Sequence, residues 1–310
     1  LAGRINPDYF LGGEIALDVE QARAAMGPIS SAFDISVEDA AMGVLRIVDA
    51  NMMNALKLVS VRRGYDPRDF TLIAFGGGGP LHGAALMREL RVKKTIIPLL
   101  PGVFSAWGML MTDLRRDFIR TLVTRIDKVT PERLDMLLGQ MSAQAEQEIM
   151  AEGIAPDAIV LQRHADMRYL GQEHTVKVKL PGGTITEVAL AEISARFHAL
   201  HEQTYTFRLD TPVELVNYHV TAFGRVQTPD IKRVDATGRS MEAARKGTRR
   251  VNFDELGFHE AAIYERDLLP VGAALRGPAV IEEPSSTTVV FPDQVLTRDE
   301  YGFLHIEMAD

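Results

Sequence analysis

The run Phe75-Gly76-Gly77-Gly78-Gly79-Pro80-Leu81-His82 has the composition of an anion-binding turn. Consecutive glycines carry no Cβ, so peptide N–H groups can approach a ligand closely and the backbone can enter φ > 0. Pro80 suits the first turn of a helix, where its missing N–H costs nothing. Leu81, Ala84, Ala85 and Met87 follow at helical spacing. The N–H groups from Gly77 to Leu81 would then converge at a helix N-terminus, where the dipole favours phosphate or another anion. The run is not a Walker loop, since no Lys-Ser or Lys-Thr follows, and its glycine spacing differs from the dinucleotide fingerprint. A tight turn that only lets a strand pack on a helix has the same composition, so the residues alone leave both readings open. His82, one turn into the helix, is placed either to reach a ligand or to cap and pack. Asn51 and Asn54 lie three apart and share a helix face, which either lines a site or meets solvent. Gly76, Gly77, Gly78, Gly79, His82, Asn51 and Asn54 form the candidate nucleotide-binding set.

Other polar groups carry weaker signals. His198 and His201 share a helix face beside Glu202, but the spacing is not that of a zinc helix, and no metal site is assigned. Asp166 and Arg168 point the same way on a strand and read first as a structural ion pair, second as a contact to a partner subunit. No catalytic residue is identifiable. With no cysteine, disulfides, thiol catalysis and cysteine-ligated metals are excluded, which fits a cytoplasmic protein. A net charge of -8 argues against nucleic-acid partners. The basic clusters at Arg115-Arg116 and Arg245 to Arg250 read as solvated faces. No apolar run approaches the roughly 20 residues of a membrane span.

The elements that must position these groups follow from period and punctuation. A short helix spans Asp18 to Met26, ended by Pro28. The strongest helix begins with the Ser36/Asp39 capping pattern and runs to Gly64, through Val37, Ala41, Val44, Val48, Met52 and Leu56. Phe70 to Phe75 reads as a strand buried on both faces. Lys94 to Leu99 is a second strand, Pro101 to Gly108 opens a short helix, and Leu114 to Ile126 is a third strand. This alternation means α/β, with the glycine turn at the carboxyl end of a strand, where open sheets bind ligands. Pro131 to Glu152 is an amphipathic helix read as a connector. From Ile159 strands dominate: Ile159 to Tyr169, Thr175 to Leu180, Val213 to Val226, Arg249 to Phe253, Ala261 to Tyr264, Ala279 to Glu282, Thr287 to Phe291 and Phe303 to Met308. One helix, Val188 to Tyr205, interrupts them. The polar segment Thr228 to Lys246 reads as a mobile loop.

The motif order resembles one family closely. Asn6 to Gly13 (NPDYFLGG), Val59 to Phe70, Phe75 to His82 and Pro101 to Ala106 look like the end of a hydantoinase A domain. Asp166 to Gln172, Phe197 to Glu202 and Gly277 to Pro284 look like that family's C-terminal domain. The resemblance covers nearly the whole chain; Gly78, where the family often has alanine, is a small departure.

This resemblance implies the second half of an actin-like, sugar-kinase-like (ribonuclease-H-like) ATPase domain over residues 1–127. From the change of pattern after it, the helix at 128–156 reads as a connector and residues 157–310 as a β-rich assembly domain with no nucleotide contact, since no further glycine-rich turn leads into a helix. Mixed aromatic and polar residues predict that it buries the Phe197 to Tyr205 helix against another subunit. The implied activity is ATP-dependent hydrolysis of a cyclic amide, with ATP and Mg²⁺ as cofactors and the metal ligands mostly upstream of Leu1. Partners would be a cyclic amide, a hydantoinase B-type subunit and further copies of the chain. The N-terminus lacks an initiator Met, and the expectation is an excerpt that folds but does not catalyse alone. An ATP-using subunit of an acetone-type carboxylase and a non-catalytic assembly module are the alternatives.

Overall fold

The computed structural model describes residues 1–235 and 239–309. Near the N-terminus two helices form a hairpin, α1 (Val19–Phe33) and α2 (Val37–Val59). Asp18 and Ser36 cap them by accepting from the N–H groups of Gln21 and Asp39. Helix α1 continues through Pro28, where the sequence predicts its end. Ala24 and Pro28 are both exposed, so the carbonyl that loses its intrahelical donor stays in water. Next come strand β1 (Leu72–Ile73), helix α3 (Gly79–Leu90), strand β2 (Lys94–Ile97) and helix α4 (Phe104–Leu110).

The chain then forms β3 (Leu114–Arg125), α5 (Pro131–Ala151), β4 (Ile159–Tyr169), β5 (Val176–Lys179), α6 (Glu187–Tyr205) and β6 (Val213–Gly224). The rest is α7 (Met241–Ala244), β7 (Arg245–Asn252), β8 (Phe258–Glu265), β9 (Leu275–Arg276), β10 (Ala279–Glu283), β11 (Ser286–Val290), β12 (Gln294–Arg298) and β13 (Leu304–Met308). The predicted loop 228–246 therefore gives way to a helical turn and the start of β7 in its later part; residues 236–238 of it lie outside those described.

Two compact units result, residues 1–110 with 230–310, and residues 111–229. This division interleaves, whereas the sequence reading is sequential, because the last strands return to the first. β13 pairs antiparallel with β2, giving the sheet β1-β2-β13-β12-β9, in which only β1 and β2 are parallel. The same unit holds the sheet β11-β10-β8-β7, and both sheets share one apolar core with α3. Gly83 lets α3 press onto the first sheet: a Cβ there would stand 2.9 Å from the Ala74 Cβ. β1 is an edge strand with one neighbour, so Ile73 is 51% exposed and the predicted burial of the Phe70 to Phe75 run on both faces does not occur.

The 111–229 unit is an antiparallel sheet, β3-β6-β4-β5. Ala165, Met167, Val178 and Val220 pack with Leu138 and Ile149 of α5 and Ile193 and Phe197 of α6. Helix α5 is thus a core element here, where the sequence reading makes it a connector. Phe197 and His201, 0% and 1% exposed, are consumed by this core, so they are not free for another subunit as expected. His201 bonds the Phe207 carbonyl and Gln172 at 3.1 and 3.2 Å, and His198 bonds the Tyr169 hydroxyl.

Candidate functional site

Between β1 and α3 the backbone turns through the glycines. Gly76 adopts φ 85°, a left-handed conformation open to glycine, and its N–H bonds the Pro101 carbonyl at 2.7 Å. Helix α3 then starts with Gly78 as its N-cap and with no side-chain cap. The Leu81 N–H turns back to the Gly78 carbonyl. Pro80 offers no donor. The N–H groups of Gly77, Gly78 and Gly79 find no acceptor among the described residues, the condition under which a helix N-terminus takes an anion.

Gly77 and Gly78 border a cavity of about 410 Å³ built from three separated stretches of sequence. Gly77, Gly78 and Leu81 form one wall, and Ile5, Asn6, Tyr9, Phe10 and Leu11 a second. The third is residues 282–287, the turn between β10 and β11. The Ser286 hydroxyl donates to the Gly77 carbonyl at 3.1 Å, fixing that turn against the glycines. The NPDYFLGG, glycine and GPAVIEEP motifs therefore meet in one place. Residues 282–287, expected in a domain remote from the glycine turn, face it directly.

Two carboxylates in this wall would repel an anion if unpaired, and neither is. Glu282, buried, receives Lys246 Nζ at 2.7 Å and Arg249 Nη1 at 2.8 Å, and Asn6 Nδ2 at 3.4 Å. Glu283 receives Arg266 Nη1 at 2.7 Å. Burial pushes the Glu282 carboxyl up, but the bonds from Lys246 and Arg249 outweigh it and hold it below the usual range. A carboxyl lowered on folding stabilises above its unfolded pKa of about 4.3, and that stability is lost as pH falls through the lower folded value. The melting temperature of the wild type is therefore expected to fall more steeply between about pH 5 and pH 2 than that of Glu282→Gln. Parallel curves in a thermal unfolding series would contradict the assignment.

The structure brings only part of the sequence-derived set to the cavity. Gly77 and Gly78 line it, while Gly76 and Gly79 shape the turn behind them. His82 is directed elsewhere: its Nδ1 lies 2.6 Å from the Asp49 Oδ1, tying α3 to α2. Asn51 and Asn54 are exposed on α2, outside the cavity wall. Asp166 and Arg168 do not pair with each other. Asp166 accepts from Asn217 at 2.9 Å and from His219 at 2.8 Å, and Arg168 donates to Glu214 at 3.0 Å. Cross-strand partners lie nearer than residues two apart on one strand. Tyr9, Glu282 and Lys246 escaped sequence reasoning; the signal that marked Tyr9 and Glu282 was their place in the NPDYFLGG and GPAVIEEP motifs, and for Lys246 there was none. No group of three or more His, Asp or Glu side chains suited to a metal occurs among the described residues, and no described helix is long and apolar enough to cross a membrane.

Comparison with known proteins covers the stretches that carry these motifs. Residues 1–118 match the Hydantoinase/oxoprolinase family and residues 127–309 the Hydantoinase/oxoprolinase C-terminal domain. The chain is 32% identical over 303 residues to the caprolactamase subunit alpha of Pseudomonas jessenii, covering 96% of this chain and 44% of that protein. It superposes on the crystal structure of the ATP-dependent caprolactamase from Pseudomonas jessenii with a TM-score of 0.79 at 30% identity, covering 100% of this chain and 46% of that one. Its fold is also shared with nucleotide-free acetone carboxylase, at a TM-score of 0.84 and 24% identity over 99% of this chain and 45% of that one. The chain thus spans less than half the length of these relatives. On both matched segments and the fold, it belongs to the hydantoinase/oxoprolinase family.

Proposed function

We propose that this chain supplies one wall of the nucleotide site of an ATP-dependent hydrolase that opens cyclic amides. The observation that carries the reading is the uncapped N-terminus of α3, whose Gly77 and Gly78 face a cavity with both carboxylates neutralised by ion pairs. The names of the relatives, an ATP-dependent caprolactamase among them, support ATP as the nucleotide and a cyclic amide as the second substrate. An actin-like division into two lobes, one of them contributed by this chain, is part of the same reading.

The chemistry sets what the wall must do. A ring amide resists water because its carbonyl is a poor electrophile. Transfer of the γ-phosphoryl group of ATP to the amide oxygen gives an imidate phosphate and ADP. Water then adds at carbon, the C–N bond breaks, and inorganic phosphate leaves. In such transfers a protein mainly positions groups and offsets charge. The free glycine N–H groups would hold phosphate oxygens, and the Ser286 bond to Gly77 would keep the turn in place. Mg²⁺ needs carboxylates beside the phosphates. Glu282 and Glu283 are already committed to Lys246, Arg249 and Arg266, so no residue here is assigned to it.

In residues 111–229 the connection from β5 to α6 holds Gly182-Gly183, but its helix is capped by the Thr186 side chain, and this unit is assigned to assembly, with a B-type subunit or further copies of the chain as partners. The 310-residue polypeptide alone is expected to be inactive. The test measures ATP turnover by the intact protein with its genomic partner, using hydantoin, 5-oxoproline, caprolactam, and acetone with bicarbonate. Turnover with a lactam or hydantoin supports the reading; turnover only with acetone and bicarbonate replaces it with the carboxylase role. Substrate-stimulated turnover by the 310 residues alone would refute the division of labour.

A further inference from the structure

The cavity beside the glycine turn has a second feature that the glycines do not explain. Tyr9 forms part of its wall, and the Lys246 ammonium stands 3.6 Å from the centroid of the Tyr9 ring. Lys246 thus stands over the face of a ring that also borders the cavity. Burial and the neighbouring Glu265 carboxylate push the Tyr9 hydroxyl up, and Lys246 Nζ reaches Glu265 at 3.2 Å and Glu282 at 2.7 Å. Ring, ammonium and carboxylate close on one another, and Asn6, three residues before Tyr9, bonds Glu282. A ring held against an ion-paired ammonium has less rotamer freedom left to lose when a ligand arrives. Ile5, Phe10, Leu11, Leu81 and Pro284 add apolar surface to the same wall.

We propose that Tyr9 is the platform on which the base of the bound nucleotide stacks, making it the residue that sets a preference for a nucleotide over phosphate alone. This rests on the nucleotide reading of the glycine turn. The phosphate donors and the ring border one cavity of about 410 Å³. A planar ring that enters together with phosphates is a nucleobase, whereas a cyclic amide would enter separately. Stacking on a fixed aromatic face is favourable for any base, because every base has a π-face.

The experiment compares ATP with tripolyphosphate, which carries the same phosphates and no base, by calorimetric titration of the intact protein. Wild type is expected to bind ATP more tightly than tripolyphosphate. Tyr9→Leu should weaken ATP at least about fivefold, the low end for losing one stacked base, and leave tripolyphosphate unchanged. Tyr9→Phe, which keeps the ring, and Tyr9→Trp, which enlarges it, should hold ATP within about twofold of wild type. The proposal is overturned if Tyr9→Leu leaves ATP affinity intact, if it weakens both probes equally, or if Tyr9→Trp binds ATP no better than Tyr9→Leu. A wild type that binds tripolyphosphate and ATP alike rejects the platform while keeping the glycine site. One that binds neither rejects both.

Discussion

Replacing Arg266 with alanine is expected to destabilise the unit formed by residues 1–110 and 230–310 by about 3–5 kcal/mol. Arg266 is 1% exposed and follows β8. Its Nη1 donates to Glu283 of β10 at 2.7 Å. Its Nη2 donates to the carbonyls of Ile97, Pro98 and Gly302 at 3.1, 2.7 and 3.1 Å. One guanidinium therefore joins the second sheet to the end of β2 and the approach to β13 in the first. Truncation leaves the buried Glu283 carboxylate unpaired and removes one donor from each of three carbonyls, desolvation penalties with nothing supplied in exchange. Arg266→Lys should recover little, since an ammonium cannot reproduce the planar fork. Denaturant unfolding of wild type and both variants checks this. A shift below about 1 kcal/mol for Arg266→Ala would mean that water enters and solvates the groups left behind.

Gly77→Val in the intact protein is expected to lower ATP affinity by about 10- to 100-fold, the loss of one or two hydrogen bonds to charged phosphate oxygens. The fold should survive. Gly77 is not at positive φ, and a Cβ there would first meet the Ser285 carbonyl oxygen at 3.7 Å, an ordinary contact. The added side chain would instead stand where the ligand must approach the backbone. Gly76→Val provides the contrast. At φ 85° it strains the chain by about 1–2 kcal/mol or more whatever the surrounding space, so its melting temperature should fall. Titration with ATP alongside thermal unfolding separates the two effects. Unchanged ATP affinity in a folded Gly77→Val protein would return the glycine run to a purely structural role.

Helix positions and most strands were readable because their signals are local. The Ser36 cap and the apolar period of α2 specify that helix wherever it sits, and the Pro131 to Ala151 and Glu187 to Tyr205 helices follow the same rule. Strands β9 and β12 were missed, one because it has two residues and the other because Gln294 and Arg298 put buried polar groups in a strand. Those polar groups make sense only beside their partners: Gln294 bonds the Ala84 carbonyl, and Arg298 bonds those of Asp267 and Leu269.

For the site, sequence alone determined the glycine turn and the helix start that follows it, since Gly and Pro act on their own backbone. It also determined the family, because the motifs are fixed strings of residues. Tertiary structure decided which motifs share a cavity. The pairing of β13 with β2 and the bond from Ser286 to Gly77 join residues more than 200 positions apart. No local period encodes such a join. The same long-range contacts directed His82 to Asp49, left Asn51 and Asn54 in solvent, and set Lys246 behind Tyr9, because a side chain's role depends on what the fold puts opposite it.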